Sequence, residues 1–268
     1  MTDKMTAETL RACTKGLTMG GRVEYWEETD STNTQARKMA EAGAEAGTLV
    51  VAERQLSGKG RRGRSWASPS GSGIWMSLIL RPQIEPSSAS CLTLVAALAV
   101  AAGIEDACGV RAKIKWPNDL VISGRKICGI LTEMSTEGTS IKYVVVGIGI
   151  NVNTAGFPEE ICKTATSLYL ETGQVMDRSP MVACIMKRME EYYDRFLETT
   201  DLSGLKEEYE RKLANLGRQV TVFDPRGEYR GRCLGINSEG ELLVEREDGT
   251  VSPVLSGEVS VRGIYGYV

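Results

Sequence analysis

Histidine is absent from all 268 residues. That removes Ser-His-Asp and Cys-His catalysis, and it argues against a zinc site. Any chemistry must run on lysine, arginine, carboxylates, backbone amides or a bound metal. Paired cysteines are missing as well. The seven thiols are odd in number and none belongs to a C-x-x-C pair, which points to free thiols in a reducing, cytoplasmic setting. There is no excess of positive charge: the balance is −3 with an isoelectric point near 5.4, so no global field attracts nucleic acid or anionic lipid. No apolar leader follows Met1-Thr2-Asp3-Lys4, so no signal peptide is expected. The longest apolar run, Cys91 to Ala102, is too short to span a bilayer and reads as a buried core helix. No membrane association is expected, and there are no repeats or low-complexity segments.

What remains is an ordinary globular composition, 42% hydrophobic and 25% charged. The length allows one large domain and a small one. The exception to this evenness is Gly58-Lys59-Gly60-Arg61-Arg62-Gly63-Arg64-Ser65-Trp66. Its cations repel one another unless an anion joins them, and it carries no aliphatic side chain to bury. It reads as a mobile loop that orders around phosphate or carboxylate; a solvated basic turn is the plainer alternative. Gly58, Gly60 and Gly63 also match G-x-G-x-x-G, but that fingerprint needs a helix after it. Ser65 to Gly73, with Pro69, Gly71 and Gly73, is loop composition. An Arg/Gly nucleic-acid segment would want a basic chain around it.

Along the chain, residues 1–20 read as one short helix or a frayed tail. Val23 to Trp26 reads as a strand, and Thr32 with Gln35 fits a capping box for a helix beginning near Asn33. Thr48 to Ala52 and Ile74 to Leu80 are apolar runs, hence buried strands; Pro82 and Pro86 end the second. A helix over Ser90–Ala102 follows. Ala112 to Trp116 and Leu120 to Ile122 flank the turn Pro117-Asn118-Asp119, and Ser123-Gly124 makes a tight hairpin turn before Ile127 to Glu133. Gly147 and Gly149 interrupt the strand Tyr143–Ile150, which suggests close approach of a ligand or backbone. Ser179 reads as the cap of an amphipathic helix with Pro180 at its first position. Its apolar face is Met181, Val182, Ile185, Met186, Met189, Tyr192, Tyr193, Phe196 and Leu197. A second helix carries Leu205, Tyr209 and Leu213. From Gln219 onward, short strands alternate with turns at Asp224-Pro225-Arg226-Gly227, Asn237–Gly240 and Asp248-Gly249, the texture of a small all-β barrel.

Taken in order, Ser31-Thr32-Asn33, Gln55, Gly58–Trp66, Lys115-Trp116-Pro117-Asn118-Asp119, Gly124–Gly129 and Gly147-Ile148-Gly149-Ile150-Asn151 resemble the biotin–protein ligases. The resemblance runs from Val23 through the C-terminal barrel. It implies an α+β fold: a mixed-sheet catalytic domain of the biotin/lipoate ligase (class II synthetase-like) type over residues 21–216, after the tail 1–20. A small SH3-like β-barrel occupies 217–268. It implies a biotin–[acetyl-CoA-carboxylase] ligase, which makes biotinyl-5′-AMP from biotin and ATP with Mg2+. The biotinyl group then passes to a lysine of a biotin carboxyl carrier protein. By the same resemblance Ser31, Thr32, Asn33, Gln55, Lys59, Gly60, Arg61, Lys126 and Gly129 line the biotin site. Arg61, Arg64, Trp66, Asn118, Asp119, Lys126 and Asn151 serve the adenylate, with Lys126 and Arg61 catalytic and no protein metal site. Asp119 could help deprotonate the incoming lysine, and Trp116 and Pro117 are packing residues.

A carboxylate is already an anionic nucleophile, so the first step needs no general base and the lack of histidine costs nothing. Lys59 stands where the family more often has arginine, a point charge in place of a bidentate fork. Some members carry an N-terminal helix-turn-helix and act as repressors; residues 1–20 leave no room for one, so DNA binding is not expected. A homodimer stays open. The alternatives are an acyl-adenylate ligase for lipoate or octanoate, and a nucleic-acid-binding protein using the basic loop.

Overall fold

Continuous apolar runs build the central strands because each is covered on both faces. The computed structural model describes residues 5–224, 227–256 and 260–263. In it β1 (Arg22–Thr29), β2 (Thr48–Gln55), β3 (Gly73–Leu80), β4 (Lys113–Lys115), β5 (Asp119–Ile122), β6 (Arg125–Glu137) and β7 (Ser140–Asn151) form one sheet, ordered β1-β2-β3-β7-β6-β5-β4. Only β1 and β2 run parallel; every other pairing is antiparallel. Val50, Ile79 and Val145 pack with Ala36 and Ala40 of α2 (Thr32–Glu41) on one face. Their strand neighbours Leu49, Val51, Leu78, Leu80, Val144 and Val146 join the main core on the other.

That larger core holds α1 (Ala7–Cys13), α3 (Cys91–Cys108) and α5 (Arg178–Thr199). Helix α3 is buried along most of its length, and Gly103 lets α5 close in, since a Cβ there would lie 2.6 Å from the Ile185 backbone. With the turn before it, the apolar segment spans Pro86–Cys108, which by length and composition could cross a membrane. Its length therefore does not exclude a span, contrary to the reading of Cys91–Ala102. What marks it as a core helix is that 78% of its apolar 18-residue stretch is buried inside the fold.

Helix α5 starts two residues earlier than Pro180 suggests, with Asp177 as its cap instead of Ser179. The reason is Arg178, which is 1% exposed and donates to both Glu53 oxygens (3.1 and 3.2 Å) and to the Gly73 carbonyl (3.0 Å). The apolar face is buried as read from Met181 to Phe196, but Leu197 is exposed. After α4 (Leu168–Thr172) and α5 comes α6 (Lys206–Lys212), flanked by buried Leu205 and Leu213 with Tyr209 inside.

The C-terminal unit is a five-stranded antiparallel sheet of the small SH3-like kind. Its strands are β8 (Gln219–Asp224), β9 (Gly227–Ile236), β10 (Leu242–Glu245), β11 (Val251–Val254) and β12 (Ser260–Gly263), ordered β11-β10-β9-β8-β12. The turn read at Asp224–Gly227 includes Pro225 and Arg226, which lie outside the described residues. Strand β9 escapes sequence reading because glycines dilute it; at Gly231 a Cβ would meet the Glu245 carbonyl at 2.4 Å. The turn at Asn237–Gly240 docks on the larger unit: Trp116 Nε1 donates to the Gly240 carbonyl at 3.0 Å and Leu202 N to Ser238 O at 2.7 Å.

Candidate active site

The floor of the main cleft is bare sheet. Ser77, Gly147 and Leu131 sit in register across β3, β7 and β6, and two residues further along so do Trp75, Gly149 and Gly129. A Cβ on Gly147 would lie 2.0 Å from Asn33 Oδ1, one on Gly149 2.6 Å from Trp66 Nε1, and one on Gly129 2.8 Å from the Trp66 ring. The close approach expected at the β7 glycines is thus made by the side chains of Asn33 and Trp66.

At one end of the cleft lies the start of α2. Ser31 is the cap residue, so the capping box read for Thr32 and Gln35 does not form. Gln35 instead donates to Thr29 Oγ1 and Asp30 Oδ1, both at 2.9 Å. Thr32 turns to the cleft, donating from N (2.8 Å) and Oγ1 (3.1 Å) to Gln55 Oε1, while Gln55 Nε2 donates to Ser68 Oγ at 2.7 Å. Asn33 Nδ2 donates to Glu133 Oε2 at 2.7 Å, and its Oδ1 accepts from Ser77 Oγ at 2.6 Å.

The basic loop closes the other side. Gly60 N donates to Arg64 O at 2.7 Å across a short turn in which Arg62 and Gly63 take left-handed backbone angles (φ 59° and 71°). Arg61 Nη1 donates to Asn118 Oδ1 at 2.8 Å, and Nη2 donates to the Ser256 carbonyl of the small barrel. Burial lowers the Arg61 pKa, yet a guanidinium stays charged. Lys126 Nζ lies 2.6 Å from Asp119 Oδ1 and 5.0 Å from the centre of the Trp66 ring. Lys126 is more firmly held than a hairpin lysine: its N donates to Thr164 O at 2.8 Å, and Thr166 N donates back to its carbonyl at 2.9 Å.

Ser31, Thr32, Asn33, Gln55, Lys59, Gly60, Arg61, Trp66, Asn118, Lys126 and Gly129 therefore line one cleft. Three other predicted residues do not. Asp119 stands beside Lys126, Arg64 is exposed on the loop, and buried Asn151 donates to Thr166 O at 3.1 Å. Sequence reasoning missed Ser77, Glu133 and Lys115. Ser77 was the lone polar residue in the apolar run Ile74–Leu80, which was signal enough; Glu133 gave none. Lys115 pairs in register with Asp119 and is 6% exposed, and burial pushes its amine down to about 8. Among the described residues no group of three or more Asp, Glu, Cys or His side chains could hold a metal.

Chemically, the cleft offers amides and hydroxyls at one end, a flat floor, and two cations beside an indole at the other. An elongated organic acid fits that order, with its polar head at Asn33 and its carboxylate at Lys126. Comparison with known proteins agrees. Residues 25–151 match the biotin/lipoate A/B protein ligase family, and residues 216–262 match the biotin protein ligase C-terminal domain. The bifunctional ligase/repressor BirA of Bacillus spizizenii is 39% identical over 260 residues, covering 96% of this chain and 79% of that protein. The biotin–[acetyl-CoA-carboxylase] ligase of Paracoccus denitrificans is 34% identical over 82% of this chain and 93% of its own. The biotin protein ligase of Aquifex aeolicus, solved in complex with biotin and ATP, superposes with a TM-score of 0.79 at 33% identity over 90% of this chain and 99% of its own. These likenesses favour biotin ligation over lipoate ligation and over a nucleic-acid-binding role for the basic loop, and this chain belongs to the biotin/lipoate A/B protein ligase family as one of its biotin–protein ligases.

Proposed function

We propose that this chain activates biotin with ATP and transfers it to a lysine of a biotin carboxyl carrier domain, that of acetyl-CoA carboxylase, in the cytoplasm. Residues 21–216 form the catalytic unit and 217–268 the barrel. The supporting observation is Lys126, held against Asp119 beneath Trp66 at the cationic end of the cleft. Ser31, Thr32, Asn33 and Gln55 hold the biotin head, with Lys59, Gly60 and Gly129 along its chain. In the first step a carboxylate oxygen attacks the α-phosphorus. An acyl–phosphate bond forms, and the bond to the β-phosphate oxygen breaks with release of pyrophosphate. Lys126 and Arg61 cancel the repulsion between carboxylate and triphosphate and stabilise charge on the phosphoryl oxygens. Trp66, Asn118, Asp119 and Asn151 serve the nucleotide, with Arg64 at the loop surface.

Magnesium would travel on the phosphates, because Asp119 is the carboxylate beside the cationic end and, among the described residues, no all-protein cage is built there. In the second step the acceptor amine attacks the acyl carbon, an amide forms, AMP leaves, and the amine loses a proton. Asp119 is the nearest candidate to receive it.

ATP–pyrophosphate exchange tests this reading, run with biotin, lipoate or neither. Exchange is expected with biotin alone. Lys126→Ala is expected to abolish it while the fold persists. Exchange with lipoate, or an unchanged rate in the variant, would refute the assignment.

A further inference from the structure

Asn33 is the hinge of the hydrogen bonding at the polar end of the cleft, and an amide can be read either way round until a neighbour fixes it. Here the neighbour is Glu133. Its Oε2 lies 2.7 Å from Asn33 Nδ2, with the Leu131 carbonyl 3.3 Å from the same nitrogen. A carboxylate and a carbonyl can only accept, so both amide hydrogens are committed on that side. Oδ1 must then face the other way, into the space left by Gly147. It takes the single hydrogen of Ser77 Oγ, 2.6 Å away. Donor and acceptor sense therefore propagates from one carboxylate on β6 through Asn33 to Ser77.

We propose that Glu133 is a positioning residue that sets the polarity of the biotin-head pocket. By fixing Asn33 with its oxygen inward, it selects a ligand whose ring presents N–H donors there. Biotin's cyclic urea presents two such N–H groups; the dithiolane of lipoate presents none. The inference rests on the reading that Asn33, Thr32 and Gln55 hold the biotin head. Glu133 also has a structural tie, an ion pair with Arg37 Nη1 at 3.5 Å on the next turn of α2. The two roles make different predictions.

Glu133→Gln keeps the shape but lets the facing group donate or accept, so Asn33 is no longer held one way round. The expected result, by pyrophosphate exchange, is a KM for biotin raised about tenfold with the KM for ATP within about twofold. Arg37→Ala breaks the ion pair but leaves the carboxylate on Asn33, and its biotin KM is expected within about twofold of wild type. Asn33→Asp alone sets two carboxylates face to face and is expected to be worse than Glu133→Gln. Joined with Glu133→Gln, it restores a donor facing an acceptor and an inward oxygen, so the double variant should bind biotin better than Asn33→Asp alone by at least about threefold. An unchanged biotin KM in Glu133→Gln would overturn the proposal, provided Gln55→Ala still raises it. So would an Arg37→Ala effect equal to that of Glu133→Gln, or a double variant worse than both singles. If Gln55→Ala also leaves the biotin KM unchanged, the head-pocket reading itself falls, and the proposal with it.

Discussion

Gly147 and Gly149 lie two residues apart on β7, face the same way and take no left-handed backbone angle. Alanine at either site is acceptable to the backbone and should even gain about 0.5–1 kcal/mol there. What differs is what each new methyl meets. At 147 it falls 2.0 Å from Asn33 Oδ1, so the amide must move by more than 1 Å and release Ser77 and Glu133. Those bonds contribute about 0.5–1.5 kcal/mol for the neutral one and about 1.5–3 kcal/mol for the one to the carboxylate. After the backbone gain, Gly147→Ala should destabilise the fold by about 1–4 kcal/mol, and a displaced head pocket should raise the biotin KM roughly 10- to 100-fold. At 149 the methyl falls 2.6 Å from Trp66 Nε1, which has no hydrogen-bond partner among the described residues to lose. Gly149→Ala should therefore leave stability within about 1 kcal/mol and shift the KM for ATP more than that for biotin. Pyrophosphate exchange with each substrate varied in turn, beside urea unfolding, reads the stability and both KM values of each variant. Equal effects of the two substitutions on both KM values would refute the division of the cleft into a head pocket and a nucleotide side.

Other consequences are open to simple assays. Arg62 and Arg64 are exposed in the loop while Arg61 is tied to Asn118 and Ser256; trypsin should cut after the former two first, and biotin with ATP should slow it. Equal cleavage with and without ligand would rule out a lid. Arg61→Gly removes both ties and adds backbone freedom, so the variant should still form biotinyl-AMP but release it early. Biotin should then appear on lysines of a bystander protein, compared with wild type at equal ATP consumption; no excess labelling would contradict the gating role. Lys115 is charged below and neutral above about 8, a cation lost beside Asp119 as pH rises. Adenylation should fall through that pH in wild type and stay flat in Lys115→Arg, whose charge persists; parallel profiles would dissociate Lys115 from the site.

Much of this fold could be read from the chain because burial on two faces writes itself as unbroken apolar runs, as in Thr48–Ala52 and Ile74–Leu80. Turn chemistry was equally plain at Ser123-Gly124, where both residues adopt left-handed angles. Local patterns misled where a distant partner decided the outcome. Thr32 and Gln35 have capping-box spacing, but Gln55, 23 residues away from Thr32, takes the threonine for the cleft. Ser179-Pro180 has helix-start spacing, but Glu53 draws Arg178 into the helix. The candidate site was legible as motifs and not as a network. Nothing near Glu133 in sequence announces that it faces Asn33.

The separations of these contacts have a kinetic consequence. Strands β6 and β7 are joined by a tight hairpin, so they can pair soon after chain collapse. The polar end of the cleft waits for Asn33 to find Glu133, 100 residues on, and the lid waits for Arg61 to reach Asn118, 57 on, and Ser256, 195 on. Contacts so far apart cost the most loop entropy and form late. During refolding the β6–β7 hairpin should be present while the enzyme is still unable to bind biotin, and the small barrel must arrive before the intermediate can be kept from water. A chain interrupted late in synthesis would then be a folded body with an unguarded site.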